Sequence, residues 1–197
     1  MVRPGHLADL PSVYEICHVT GLNGGDATGA VTNRQLLGHY FAAPYLVRDP
    51  SWCWMAADDE GVAGYLVTTP DTRAFAAWMD ADWLPAVRSL LPARDNPAWP
   101  PTETWIRNVI QAPFPVPDLA AEYPAHLHID FLPRAQGQGW GPRVLEAFRA
   151  KLRAEGVRGF HLGVATANEK AHRFYARQGF RVIREPPGVI YYGLKAD

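Results

Sequence analysis

Cysteine is nearly absent. Cys17 and Cys53 are the two in 197 residues, with no Cys-x-x-Cys pair and no Cys/His spacing of a structural zinc site. This excludes a disulfide-stapled secreted fold, and both thiols are expected to be reduced and buried in a cytoplasmic protein. Charge of one sign is missing as well. Nineteen Lys and Arg against twenty Asp and Glu leave a formal net charge of −1, so neither nucleic acid nor an anionic membrane is expected as a partner. No apolar stretch approaches the roughly 18 residues that span a bilayer, and the opening MVRPGHLADL holds no apolar signal core. Internal repeats and low-complexity tracts are also missing. The expectation is a single domain over 1–197, whose 48% hydrophobic content suits a buried core.

The most informative stretch is HLHIDFLPRAQGQGWGP, residues 126–142. Its first part alternates, placing His126, His128 and Asp130 on one face of a strand and Leu127, Ile129 and Phe131 on the other. An apolar core face and a polar face for chemistry are expected. Gly137, Gly139 and Gly141 follow at alternate positions, allowing positive φ and close approach of backbone to a ligand. A helix is expected from Pro142, with Val144, Leu145, Phe148 and Leu152 at helical spacing. Its unpaired N–H groups and positive dipole end would hold a phosphate. The Lys-Ser/Thr ending of a P-loop is absent, and no acidic residue closes a second strand where a ribose-binding Rossmann unit needs one.

Elsewhere Val2-Arg3 starts a short strand, and Leu10, Val13, Ile16 and Cys17 stripe a helix. A loop spans 23–29. A helix over 33–42 is expected, with Thr32 as N-cap and Gln35 completing a capping box. Residues 52–57 and 62–69 read as a hairpin around Asp58-Asp59-Glu60-Gly61. Between Pro70 and Pro124 lie 10 of the 18 prolines and 4 of the 7 tryptophans, which reads as an insertion of short helices ordered by proline and by the contact area of Trp78, Trp83, Trp99 and Trp105. The last third reads as strand 126–132, helix 142–154, strand 160–165, helix 169–178 and strands 180–184 and 189–194, with Gly179 ending a helix.

Gln136-Gly137-Gln138-Gly139-Trp140-Gly141 resembles the acetyl-CoA pyrophosphate loop of the GNAT N-acetyltransferases. Downstream, Asn168-Glu-Lys-Ala-His-Arg-Phe174-Tyr175-Ala-Arg-Gln-Gly179-Phe180 resembles that family's second conserved-looking block, in the right order. Almost the whole chain is similar to the acetyltransferase-like C-terminal domain of O-GlcNAcase and its free-standing bacterial relatives. The shared segments include Val2-Arg-Pro, Val13-Tyr-Glu-Ile-Cys17, Gly61-Val-Ala-Gly-Tyr65, Asp82-Trp-Leu-Pro85 and Gly156-Val-Arg-Gly159. That domain lacks an intact glycine-rich loop, whereas this chain keeps one. The resemblance implies a mixed α/β GNAT fold, a twisted and mostly antiparallel sheet with helices on both faces. It also implies acetyl-CoA as co-substrate, with no metal.

Acyl transfer to an amine needs a bound donor, a deprotonated amine, an oxyanion donor and an acid for the leaving thiolate. The resemblance implies donor contacts at Phe131, Leu132, Gly137, Gln138, Gly139, Trp140, Gly141, Asn168 and Tyr175, and the Leu132 N–H is taken as oxyanion donor. Alkylamines have pKa ~10.4, so a base is needed at neutral pH. Asp130 and His128 both qualify, with Asp130 nearer the acetyl position. Tyr175 is the candidate acid. Plainer readings stand beside these: Asn168 as a helix cap, Tyr175 as an amphipathic wall residue, Asp130 in an ion pair, and His126-x-His128-x-Asp130 as a metal site. The acceptor is expected to be a primary amine of a small molecule or peptide, attacked directly because no Cys or Ser near the loop is placed for an acyl-enzyme. The alternative is a non-catalytic acetyl-CoA-binding or protein-interaction domain.

Overall fold

Strand and helix boundaries follow the sequence pattern closely at residues 2–4, 10–20 and 53–69 and from 125 onward, and depart from it over 33–42. A computed structural model describes residues 1–91 and 96–196; residues 92–95 of the Pro/Trp-rich segment and Asp197 lie outside the described residues. In chain order the elements are β1 (Val2–Pro4), α1 (Leu10–Thr20), α2 (Gly38–Phe41), α3 (Ala43–Arg48), β2 (Cys53–Asp58), β3 (Gly61–Thr69), α4 (Thr72–Trp78) and α5 (Leu84–Leu90). There follow α6 (Pro101–Gln111), β4 (Ala125–Phe131), α7 (Trp140–Ala154), β5 (Gly159–Ala165), α8 (Glu169–Arg177), β6 (Arg181–Arg184) and β7 (Val189–Lys195). No helix among the described residues is long and apolar enough to cross a membrane.

The seven strands form one sheet in the order β1-β2-β3-β4-β5-β7-β6. Every pairing is antiparallel except β4 with β5. That parallel pairing holds at Ala125↔Phe160 and His126↔His161 alone, although β4 runs on to Phe131 and β5 to Ala165. The two strands therefore splay apart beyond His126 and open a gap in the middle of the sheet.

Apolar layers cover both faces. One gathers Val13, Ile16, Tyr65, Val67, Phe75, Leu84 and Ile106; the other gathers Leu127, Val144, Leu145, Phe148, Phe160 and Phe180. Burial of these side chains, at ~25 cal/mol per Å² of apolar surface, is the main force holding helices to sheet. Strand β4 sends Leu127, Ile129 and Phe131 to the second layer. Its other face is not the open polar surface expected from the alternation: His126 and His128 pack edge-on against Tyr45, and His128 also meets Phe41.

The helix expected over 33–42 is largely replaced by a turn. Thr32 does not cap it, because its N–H and hydroxyl both donate to Glu103 Oε2, at 2.5 and 2.7 Å. Asn33 Oδ1 instead accepts from the Gln35 N–H at 2.9 Å, closing a local turn. Helix α2 stops at Phe41 because Ala42 leaves the helical region at φ −139°, and Pro44, which has no N–H to bond back to the preceding turn, sits in the first turn of the new helix α3. At Gly38 an added Cβ would lie 2.4 Å from the Tyr14 ring, so α2 seats tightly on α1.

Strands β3 and β4 are neighbours, yet residues 70–124 separate them in sequence. Asp71 caps α4 by accepting from the Arg73 and Ala74 N–H groups at 2.9 and 3.0 Å. A π turn at Met79–Trp83 joins α4 to α5. Phe75, Met79, Leu84, Val87, Ile106 and Ile110 from this segment enter the first apolar layer. Trp78 and Trp83 stack at 5.9 Å, Trp83 donates to the His39 carbonyl at 2.7 Å, and Arg107 lies 3.9 Å over Trp99.

Candidate functional site

A cleft of about 410 Å³ opens where β4 and β5 diverge. Its floor is the turn between β4 and α7, contributed by Gly137, Gly139, Trp140 and Gly141. The three alternate glycines answer to different demands. Gly137 and Gly139 have φ of +76° and +77°, and nothing lies within 4 Å of where a Cβ would stand, so backbone handedness alone requires them. At Gly141 a Cβ would come 2.8 Å from the Phe174 ring, so this glycine lets α7 pack against α8. Helix α7 begins at Trp140, two residues before the expected Pro142, behind Gly139 and with no side-chain cap. Its first N–H groups, where partial positive charge collects, border the cleft.

Two residues quoted in the sequence motifs but given no role there brace this turn. Gln136 donates through Nε2 to the Phe131 carbonyl at 2.8 Å, and its Oε1 accepts from Lys170 Nζ. Lys170 thus brings a cation to the wall of the cleft. Its signal in the sequence was faint, a single lysine in the first turn of α8. Gln138 does not line the cleft; its side chain turns back to the Arg134 carbonyl.

The backbone of β4 corrects the oxyanion assignment. The Leu132 N–H donates to the Ala63 carbonyl at 2.8 Å and so is occupied within the sheet. In an antiparallel ladder, alternate residues bond the same neighbour. With Leu132 turned toward β3, the backbone groups of Phe131 and Ile129 face the gap left by β5. The Phe131 carbonyl indeed meets Gln136 there, and its N–H lies on the same edge. The Phe131 ring fits because residue 64 opposite it is glycine.

Asp130 lines the cleft. Tyr65, directly across on β3, donates to Asp130 Oδ2 at 2.7 Å. Burial pushes the Asp130 carboxyl up to about 6, with the Tyr65 and Thr20 hydroxyls pulling partly the other way. No basic side chain pairs with it among the described residues, so the ion-pair reading fails. Neither Tyr65 nor Thr20 was singled out in the sequence; only their places on the neighbouring strand and at the end of α1 bring them here.

Tyr175 reaches the cleft from α8, 6% exposed, its ring against Phe174, Phe180 and Tyr192. Burial, and then the nearby Asp130 charge, raise its phenol well above the ordinary value, which keeps the proton on. Asn168 also lines the cleft, and it caps α8 by accepting from the Ala171 N–H at 3.1 Å.

His128 is not brought to the cleft. Burial, and then the charge of His161, hold it down to about 4, so it is neutral at pH 7 and a weak base. His126 is deeper still. Tyr45 and Thr72 hydroxyls meet its Nε2 and Nδ1 at 2.7 and 2.8 Å. Because the Thr72 hydroxyl donates to the Pro124 carbonyl, the imidazole proton sits on Nδ1 and Tyr45 donates to Nε2. The two histidines of the His-x-His-x-Asp stretch are thus committed to packing. Among the described residues no group of three or more His, Cys, Asp or Glu converges as a metal site, and both cysteines are buried.

The family model for the Acetyltransferase (GNAT) family matches residues 30–180. Among solved structures, the one described as SsHAT is 34% identical with a TM-score of 0.88, over 100% of this chain and 98% of that one. A structure described as an acetyltransferase is 17% identical with a TM-score of 0.64, over all of both chains. The yncA structure from Salmonella typhimurium, solved with its cofactor acetyl-CoA, is 14% identical with a TM-score of 0.57, over 100% of this chain and 94% of that one. These last two share the fold. With a glycine turn opening a helix beside a split β4–β5 pair, and a family model spanning most of its length, this chain belongs to the GNAT acetyltransferase family.

Proposed function

We propose that this protein transfers the acetyl group of acetyl-CoA to a primary amine by direct attack. The observation that carries the reading is the presence of a raised carboxyl, Asp130, and a protonated phenol, Tyr175, in one cleft floored by the start of α7. The coenzyme diphosphate would meet the N–H groups of Gly137, Gly139, Trp140 and Gly141, with Lys170 and Asn168 beside it. The exposed backbone edge of Ile129 and Phe131 offers pairing to the pantetheine amides. In the reaction the amine nitrogen attacks the acetyl carbon and gives up a proton to Asp130. Negative charge on the acetyl oxygen falls to the Phe131 N–H in place of Leu132. The carbon–sulfur bond then breaks, and Tyr175 protonates the departing thiolate.

Asp130 fits the base role because its raised pKa brings it nearer the operating pH while leaving most of it ionised at pH 7. On this reading residues 1–197 form one domain in which the 70–124 segment covers the acceptor side. Calorimetry with acetyl-CoA, followed by thiol release against a panel of amines, tests the proposal. Asp130→Asn should retain coenzyme binding and lose amine-dependent release. Coenzyme binding without release from any amine would favour a non-catalytic binding domain instead.

A further inference from the structure

Beside Asp130 on the same strand face stands His128, about 7 Å away by the pleat repeat. The Phe41 ring meets it edge-on at 5.6 Å, and the Trp105 indole stacks on Phe41 at 6.1 Å and 16°. Three rings from β4, α2 and α6 thus run from beside the base to the surface. Trp105 is 52% exposed, while Ile106 and Ile110 of the same helix are buried in the core. Among the described residues Phe41 is the ring that meets this indole, and a stacked ring left in water is a ready partner for another flat group.

Further rings stand behind these. Tyr40 touches Phe41 at 4.9 Å and Phe114 at 5.3 Å. Tyr191 of β7 lies over Gly163 of β5, where a Cβ would come 3.3 Å from its ring. Burial, and then Asp80 and Tyr191, raise the Tyr40 phenol above its ordinary value. Among the described residues charge beside these rings is sparse. Asp80 accepts from the Phe114 N–H at 2.8 Å, and the Glu103 carboxylate is buried and taken up by Thr32 and Arg107. A polycationic peptide would find little here to neutralise it, whereas an ammonium on an aryl body finds π faces.

We propose that Phe41 and Trp105 form the acceptor platform and select a small amine carried on an aromatic body. This rests on the acetyl-transfer reading and gives it a substrate class. The test titrates the full chain, saturated with CoA, by calorimetry with 2-phenylethylamine, with ethylamine, and with a lysine-containing basic peptide. The aryl amine should bind about tenfold tighter than ethylamine, and Trp105→Ala should bring that preference close to one while leaving acetyl-CoA affinity unchanged. Trp105→Phe should restore most of the preference. Phe41→Leu, if it folds, should act like Trp105→Ala. Equal binding of the two amines, tighter binding of the peptide, or an unaltered preference in Trp105→Ala would overturn the platform. Thiol release then separates the two ideas. Release without aryl preference keeps acetyl transfer and rejects the platform; aryl preference in binding without release from any amine keeps the platform and rejects acetyl transfer.

Discussion

Replacing Tyr65 by phenylalanine removes one hydroxyl from the interior and leaves its ring in place. That hydroxyl donates to Asp130 Oδ2 at 2.7 Å and helps hold the carboxyl, already raised by burial to about 6, from rising further. The groups around Asp130 are Tyr65 from β3, Cys17 and Thr20 from α1, Tyr175 from α8, and His128 on its own strand. None carries a positive charge at pH 7, so hydrogen bonds are the stabilisers of the carboxylate. A hydrogen bond to a charged group contributes about 1.5–3 kcal/mol, equivalent to roughly 1–2 pKa units. In Tyr65→Phe the base should therefore titrate near 7–8, a shift of about 1–2 units. The base works when ionised, so activity falls as pH drops through its pKa and the acidic limb moves to higher pH. At pH 7 the ionised fraction should fall from about nine tenths to between a half and a tenth, a loss of about two- to tenfold in kcat/KM that is regained by pH 9. The assay is a pH profile of kcat/KM by thiol release with acetyl-CoA and a reactive amine. A limb that stays in place, or a loss uniform across pH, would refute Tyr65 as the group that positions and tunes the base.

Asp130→Asn should stabilise the protein while abolishing turnover. The carboxyl titrates about two units higher in the folded chain than its ordinary value of 3.8, so the folded state holds the extra proton between these values and loses stability as pH rises through them. The amide should contribute about 3 kcal/mol above pH 6, or about 6–12 °C in Tm, and nothing below pH 4, as read by thermal scans at several pH values. The histidines act in the opposite direction. His126, His128 and His161 are all held below 6.5 by burial, so the unfolded chain takes up protons first and stability falls as pH drops below 6.5; His128→Leu should flatten that fall in urea melts. Tyr175→Phe should lower kcat by about a hundredfold with acetyl-CoA affinity nearly unchanged, and equal loss of both would make it a binding residue. Gly139→Ala, forced into left-handed backbone, should cost about 1–2 kcal/mol and weaken acetyl-CoA binding, both measurable by thermal shift with and without coenzyme.

The C-terminal half was legible because its signals are local. Alternation set β4, the 3.6-residue repeat set α7, and glycine at 137 and 139 marked the turn. Sequence reading failed where distant partners decide the outcome. Thr32 looks like a helix cap until Glu103, 71 residues away, takes both its donors. His128 looks like a base until aromatic rings from α2 and α3 close over it. Leu132 looks like an oxyanion donor until Ala63 claims its N–H. Tyr65 and Asp130 are likewise 65 residues apart, and no local pattern announces a pair made by cross-strand register.

Only two residue pairs join β4 to β5, so the sheet is close to being two sheets, β1–β4 and β5–β7, sewn together at one end. Hydrogen exchange should show the amides near the seam opening at lower free energy than those of β2, β3 and β7, while the shared apolar layer still joins the two sides. A ligand lying along the open edge would act as a missing strand, bonding one side while resting on the other. Coenzyme binding would then raise the protection of amides on both sides of the seam together.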